Sequence, residues 1–368
     1  MAQRQGPGSP LGSLVAIGVV VGVGAAAFAY TAGWLSPQRL TPERMVAALG
    51  APMPADLGHR RNHAKGLCFT GWFQANGNGV ALSRAALFVA GSYPVVGRFN
   101  LGTPNPDAKD ASARVRGLSI QIKPPGGQEW RSGMINAPFF PVSTPQDFYQ
   151  LLTASGSKDP GAMPGFVAAH PGFVKFGAWA QTGPWTGSYA EERYNGLNAF
   201  RFVDASGAVH PVRWSMLPAA APVSVDPATL DAGGPDLLEQ DITKRVQAGP
   251  VRWTLQVTLA DASDQTADPS EPWPDGRRTV DVGTLLVDQV QAEADGPCRD
   301  VNYDPTVLPD GIAVGDDPFP AARSAAYAVS FDRRTAEAAD YPRTAPAPAP
   351  APAPAQSGAE TPAQGNKP

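Results

Sequence analysis

Histidine is scarce in this chain: 368 residues hold four, His59, His63, His170 and His210. An imidazole can move a proton near neutral pH or ligate a metal, so each one is weighed by its neighbours. No HExxH, no His/Cys zinc spacing, no GxSxG elbow and no P-loop occurs. Metallohydrolase, serine-hydrolase and P-loop chemistries therefore lack their parts. His63 stands out through its setting, Arg60-Arg61-Asn62-His63-Ala64-Lys65-Gly66, which runs into an apolar segment ending Gly71-Trp72-Phe73. Far downstream lies a second pair, Arg323 and Tyr327. At i and i+4 they share a face if their segment is helical. Taken singly, such a histidine is more often packed or solvated than catalytic, and most Arg-x-x-x-Tyr pairs lie on helix surfaces.

Taken together and in order, these segments resemble the catalase family. There the distal histidine sits in an R-x-x-H-A-K-G segment, followed by a G-Y-F triplet. Val96-Gly97-Arg98-Phe99 is similar to the family's V-R-F segment, and Arg116-Gly117-Leu118-Ser119-Ile120 to R-G-F-A-V. Asn136-Ala137-Pro138-Phe139-Phe140 resembles the N-x-P-x-F strand of the distal pocket. Asn198 to Val203 with Val212-Arg213-Trp214 looks like N-A-F-x-F-V…V-R-W. Asn302 to Pro305 and Leu308 to Ile312 are similar to F-N-P…L-P-P-G-I, and Arg323-Ser324-Ala325-Ala326-Tyr327 to the proximal signature. The resemblance spans roughly 58–335 and lacks the long arm and carboxy-terminal parts of large catalases. That points to the small catalase-related peroxidases.

The resemblance implies an α+β fold, an antiparallel β-barrel with helices packed around it, holding haem b. It makes Tyr327 the iron ligand, with Arg323 stabilising negative charge on the phenol oxygen that ferric iron requires. It makes His63 the general acid/base. Arg60, Arg98 and Arg334 take the places of the arginines that pair with haem propionates, a task suited to the guanidinium fork. Phe140 falls among the cofactor-binding positions. The implied reaction reduces hydrogen peroxide or organic hydroperoxides with a small organic donor, with weak catalase activity. Two alternatives stand beside it, a fatty-acid hydroperoxide isomerase on the same fold and a non-catalytic haem-binding protein.

Three departures bear on that implied activity. Asn100 stands where the family has a serine after V-R-F. Ile135 replaces the first of two asparagines, which leaves Asn136 as the candidate distal amide. Phe331 occupies the place of a second proximal histidine. On a regular strand Asn136 would face away from Ile135's side, and only a bulge would re-aim it.

The elements that must position these residues are partly legible. From 66 to 125 the pattern is mainly strand-like, with strands again near 198–217 and 251–260. Thr41-Pro42-Glu43 opens a short helix through Leu49, Thr144-Pro145-Gln146-Asp147 caps another through Leu152, and Phe319 to Arg334 reads as the last. No charge occurs between Arg4 and Arg39, and residues 11–35 are apolar and long enough to cross a bilayer. Ala27-Phe28-Ala29 resembles a cleavage site, so anchor and long signal peptide compete, with export to the periplasmic side favoured. We divide the chain into a flank (1–10), this segment (11–35), a lead-in (36–57), a haem domain (58–340) and a Pro/Ala-rich disordered tail (341–368).

Charged residues make up 17% of the chain and the net charge is −4, which leaves no basic stripe to bind nucleic acid. The two cysteines, Cys68 and Cys298, read most simply as small buried side chains. Pairing would require a close Cα approach that the sequence does not reveal. Oligomeric state is open.

Overall fold

The computed structural model describes residues 10–32, 34, 36, 39–50, 56–126 and 128–343. The Pro/Ala-rich tail from 344 onward lies outside the described residues, as do residues 1–9 and 51–55. Strands β1 (Gly66–Ala75), β2 (Gly91–Leu101), β3 (Arg116–Ile122) and β4 (Trp130–Ile135) form an antiparallel meander. Next come β5 (Tyr194–Val203), β6 (Val209–Pro218), β7 (Val251–Leu259), β8 (Thr279–Ala292) and the short β9 (Ile312–Val314). Pairing of β1 with β8, β8 with β7, β7 with β6 and β6 with β5 closes the sheet on itself, with β9 added along β5. The seam between β4 and β5 is narrow: Ile135 opposite Asn195 is its register pair.

Alternation fills this barrel. Leu67, Phe69 and Phe73 on β1, Leu118, Ile120 and Ile122 on β3, and Trp253, Leu255 and Val257 on β7 all point inward and are buried. Trp130 and Trp214 meet edge to face, their centroids 5.0 Å apart. The functional candidates lie on the outer side of this core, where helices cover the sheet.

Helices α1 (Pro10–Thr31), α2 (Pro42–Gly50), α3 (Pro145–Ser155) and α8 (Phe319–Ala336) match the expected segments within a few residues. Thr144 caps α3, its hydroxyl oxygen accepting from the Asp147 amide at 3.1 Å. α4 (Ala162–Ala169), α5 (Phe173–Thr182), α6 (Pro227–Ala232) and α7 (Leu237–Ala248) are absent from the sequence reading. α4 carries Pro164 and Gly165 internally, which hides it. α7 shows its helical stripe openly in Leu238, Ile242 and Val246. The apolar α1 offers 21 residues from Leu11 to Thr31, long enough to cross a membrane, and none of it is buried against the rest of the chain.

The simpler reading of the cysteines is corrected. Cys68 on β1 and Cys298 after β8 form a disulfide, with Cα atoms 5.3 Å apart across 230 residues of sequence. Antiparallel β1–β8 pairing, with Cys68 opposite Gln291, brings the two segments together. Replacing both cysteines by alanine is expected to lower stability by about 2–5 kcal/mol, because the reduced chain regains the entropy of a very long loop. The urea midpoint of the variant against the oxidised protein measures this.

Candidate active site

His63 lies in the segment entering β1, and its neighbours explain the surrounding motif. The Ala64 amide donates to the Thr103 carbonyl at 2.8 Å, and the Lys65 ammonium reaches Asp110 at 2.9 Å and Asp236 at 2.8 Å. Gly66 must be glycine, because a Cβ there would lie 2.4 Å from the Arg98 guanidinium carbon. Anchored on both sides, His63 adopts φ 54°, the one positive φ among the described non-glycine residues. Such left-handed backbone costs about 1–3 kcal/mol and persists only where its surroundings over-determine it.

Its imidazole Nδ1 donates to the Asn100 side-chain oxygen at 2.7 Å. Asn100 thus holds the imidazole from the position where the family has serine. The longer amide fits because Gly117 faces it; a Cβ there would come within 2.2 Å of the Asn100 oxygen. With Nδ1 protonated, Nε2 keeps its lone pair. Burial, only partly opposed by the Asn100 hydrogen bond, lowers the His63 pKa to about 4.

Tyr327 stands on the α8 face that carries Arg323, Phe331 and Arg334, the spacing that aligns one side of a helix. Arg323 Nη2 donates to the Tyr327 oxygen at 3.2 Å and to the Gly133 carbonyl at 3.2 Å, while its Nη1 donates to Asn198 Oδ1 at 2.8 Å. Asn198 Nδ2 in turn donates to Asp317, whose other oxygen accepts from the Phe319 amide at the start of α8. A chain of hydrogen bonds therefore aims the guanidinium at the phenol oxygen. The sequence reading places Asn198 in a motif without a role and does not single out Asp317, because 119 residues separate the two.

His63, Arg60, Arg98, Phe140, Arg323, Tyr327 and Arg334 line one cavity of ≈ 470 Å³. Its walls are mainly apolar, with Met45 and Val46 from α2, Phe148 and Leu152 from α3, and Leu197 and Phe319. Phe140 packs against Phe319 and Phe148, with centroids 4.7 and 5.1 Å away. Arg60, Arg98 and Arg334 gather with Glu293, a residue the sequence reading does not single out. A second tyrosine, Tyr303, also lines the cavity, but its hydroxyl donates to the Val96 carbonyl and burial pushes its phenol well up. The Tyr327 oxygen instead accepts from the Arg323 guanidinium.

Asn136 does not join them. Its side chain accepts from the Arg116 amide at 3.0 Å and donates to Glu192 at 3.3 Å, while Ile135 lines the cavity. Asn136 is the first residue past β4, and its amide, donating to the Arg116 carbonyl at 2.9 Å, carries the strand's alternation one residue further. As a distal amide Asn136 is thus corrected. The other histidines are engaged elsewhere: His170 with Asp147, His210 with Asp204, and His59 packed against the Tyr341 ring.

A closed antiparallel barrel bearing this cavity matches solved catalases. The structure of a bacterial catalase superposes with a TM-score of 0.68 at 19% identity, covering 78% of this chain and 60% of that one. Catalase A from Saccharomyces cerevisiae gives 0.66 at 16% identity, covering 75% and 61%. The chain therefore spans about three fifths of those proteins' length. The family model for catalase matches residues 55–361, and the chain belongs to the catalase family.

Within it, the chain falls among the catalase-related peroxidases. A catalase-related peroxidase of Synechococcus elongatus is 34% identical over 331 residues, covering 88% of this chain and 95% of that protein. Another, of Mycolicibacterium paratuberculosis, is 31% identical over 299 residues, with 80% and 95% covered.

Family membership implies a haem, and the cavity fits one. Among the described residues no group of three or more His, Cys, Asp and Glu side chains could chelate a bare ion. What the cavity offers is one cation-backed phenol, apolar walls and an arginine cluster, the complement of a flat apolar ligand with a metal at its centre and carboxylates at its edge.

Proposed function

We propose that this protein is a haem-dependent peroxidase that reduces hydrogen peroxide or organic hydroperoxides with an organic donor, and that disproportionates peroxide poorly. The observation that carries this reading is the gathering of His63 and Tyr327, 264 positions apart by their numbers, on one apolar cavity. Haem, held by Tyr327 and the arginines, would supply the redox chemistry that links peroxide to donor. The balance is one hydroperoxide and two donor hydrogen atoms giving an alcohol and one water.

The chain's own groups divide the remaining work. Tyr327 supplies the ligand oxygen, and Arg323 stabilises negative charge on it. Arg60, Arg98 and Arg334 hold the carboxylates. His63 Nε2 takes the proton from the near peroxide oxygen and delivers it to the far one as the O–O bond breaks, while Asn100 holds the ring in the required tautomer. Ile135 offers no hydrogen bond to hold a second, small polar peroxide. The apolar wall thus favours a bulkier reductant.

Oxygen release and donor oxidation, measured side by side at equal peroxide, test the proposal. Donor oxidation is expected to dominate in the wild type, and Ile135→Asn to raise oxygen release selectively. Wild-type oxygen evolution at the rate of a large catalase would refute it. A lipid hydroperoxide converted to an isomer without donor would favour the isomerase reading instead.

For location, we infer an exported domain tethered or preceded by α1. The apolar, unburied helix supports insertion. The Cys68–Cys298 bond supports an oxidising compartment, since such bonds seldom persist in a reducing cytosol. Alkylation of intact cells with and without reductant, followed by fractionation, tests both points.

A further inference from the structure

At one end of the cavity four arginines line the wall, Arg60, Arg61, Arg98 and Arg334. Arg61 is already matched by Glu337, at 2.5 and 2.7 Å. Of the other three, Arg98 and Arg60 contact a single carboxylate, Glu293, and Arg334 lies within its electrostatic reach. Arg98 Nε and Nη2 donate to its two oxygens at 2.9 and 2.5 Å, and Arg60 Nε to one of them at 3.2 Å. Backbone carbonyls take further donors: Ala64 from Arg98 Nη2, Cys298 and Val301 from Arg60 Nη2, Arg299 and Val301 from Arg334.

Burial makes this arrangement consequential. The Arg98 and Glu293 side chains are 2% and 9% exposed, so their charges are poorly screened. Burial alone pushes the Glu293 carboxyl up, yet Arg98 and Arg60 outweigh it and hold the group below the usual carboxylate range. It is therefore an anion. Three guanidiniums and one carboxylate leave a net charge of +2, counting only groups named above.

We propose that Glu293 is the positioning acid of this cluster: it locks the Arg98 and Arg60 forks and trims the local charge to match a ligand with two carboxylates. The inference rests on the haem reading, since haem carries two propionates. Glu293 occupies one anion place of a three-arginine site and leaves two for the ligand. The lock has its own support, because Glu293 directly follows β8 and the segment after it is fastened to β1 through Cys298. Without Glu293 three buried cations would repel one another, and the forks would lose their aim.

The test uses zinc protoporphyrin IX, which carries both carboxylates but cannot turn over peroxide, and its uncharged dimethyl ester. Binding to the full-length protein is followed by fluorescence titration. Wild type is expected to prefer the diacid over the ester. Glu293→Gln, which keeps shape and removes charge, is expected to weaken diacid binding about 10-fold or more and leave ester binding unchanged. Glu293→Asp should recover part of the loss. Formate, but not formamide, should recover part of it in Glu293→Ala, as expected for a vacated anion place rather than a collapsed fold. Diacid binding by Glu293→Gln within about twofold of wild type, or tighter, would overturn the role given to Glu293. So would loss of diacid and ester binding in equal measure without formate recovery. Wild type that binds neither porphyrin would overturn the haem reading, and this inference with it.

Discussion

Tyr327→Phe is expected to reduce the haem content of the purified protein about tenfold or more, while the barrel remains folded. The substitution removes one hydroxyl, and the remaining ring keeps its place on α8. Arg323, which donates to that hydroxyl at 3.2 Å, retains Asn198 and the Gly133 carbonyl as partners, so the helix should not shift. Tyr303 cannot take over, since its oxygen is spent on the Val96 carbonyl and burial disfavours its anion. Pyridine haemochrome content and far-ultraviolet circular dichroism together report the outcome. A variant that keeps full haem and an unchanged absorption spectrum would remove Tyr327 as the ligand.

The second large effect belongs to the distal side. His63→Ala should still bind haem, because the cavity's ligand oxygen and arginines are untouched. Its consumption of peroxide should nevertheless slow by ~10²–10⁴-fold, the usual contribution of a positioned acid/base. The wild type should show a particular pH profile. Burial lowers the His63 pKa to about 4, below the ordinary 6.5, so the imidazole is neutral and able to accept a proton at every pH above that value. The rate is therefore expected to be flat between pH 5 and 8 and to fall with one protonation near pH 4. Stability follows the same sign: the unfolded chain takes up this proton at an ordinary histidine pKa and the folded one only near 4, so stability is lost as pH drops through that window. Single-turnover peroxide loss across pH, for wild type and variant, tests both points. An unchanged rate in His63→Ala would end the role assigned to it.

The distal wall shows how far alternation alone can carry an argument. Given that Asn136 directly follows Ile135 at the end of a strand, period-two geometry already says they face opposite ways. What could not be read was whether a bulge intervenes, because a bulge depends on the partner strand. The β3–β4 ladder runs without interruption from Ile122 opposite Trp130 to Gly117 opposite Ile135. Asn136 therefore turns to Arg116 and Glu192, and the wall facing the cavity stays apolar.

The sequence by itself determined what short-range physics controls. Thr144 and the Pro that follows it announce α3, the i, i+4 spacing sets Arg323 beside Tyr327, and alternation marks the inward faces of β1, β3 and β7. The ordered motifs from Arg60 to Tyr327 carried the family resemblance without any contact being known. Only the tertiary structure decided which distant groups meet. Glu293 reaches Arg98 across 195 residues, Cys68 reaches Cys298 across 230, and Asn198 reaches Asp317 across 119. Asn100 finds His63 because Gly117 leaves room on the adjoining strand. The physical reason is register: a closed barrel converts strand pairing into side-chain proximity, and one residue of slip would send Cys68, Arg98, Asn100 or Asn198 to the opposite face of its strand.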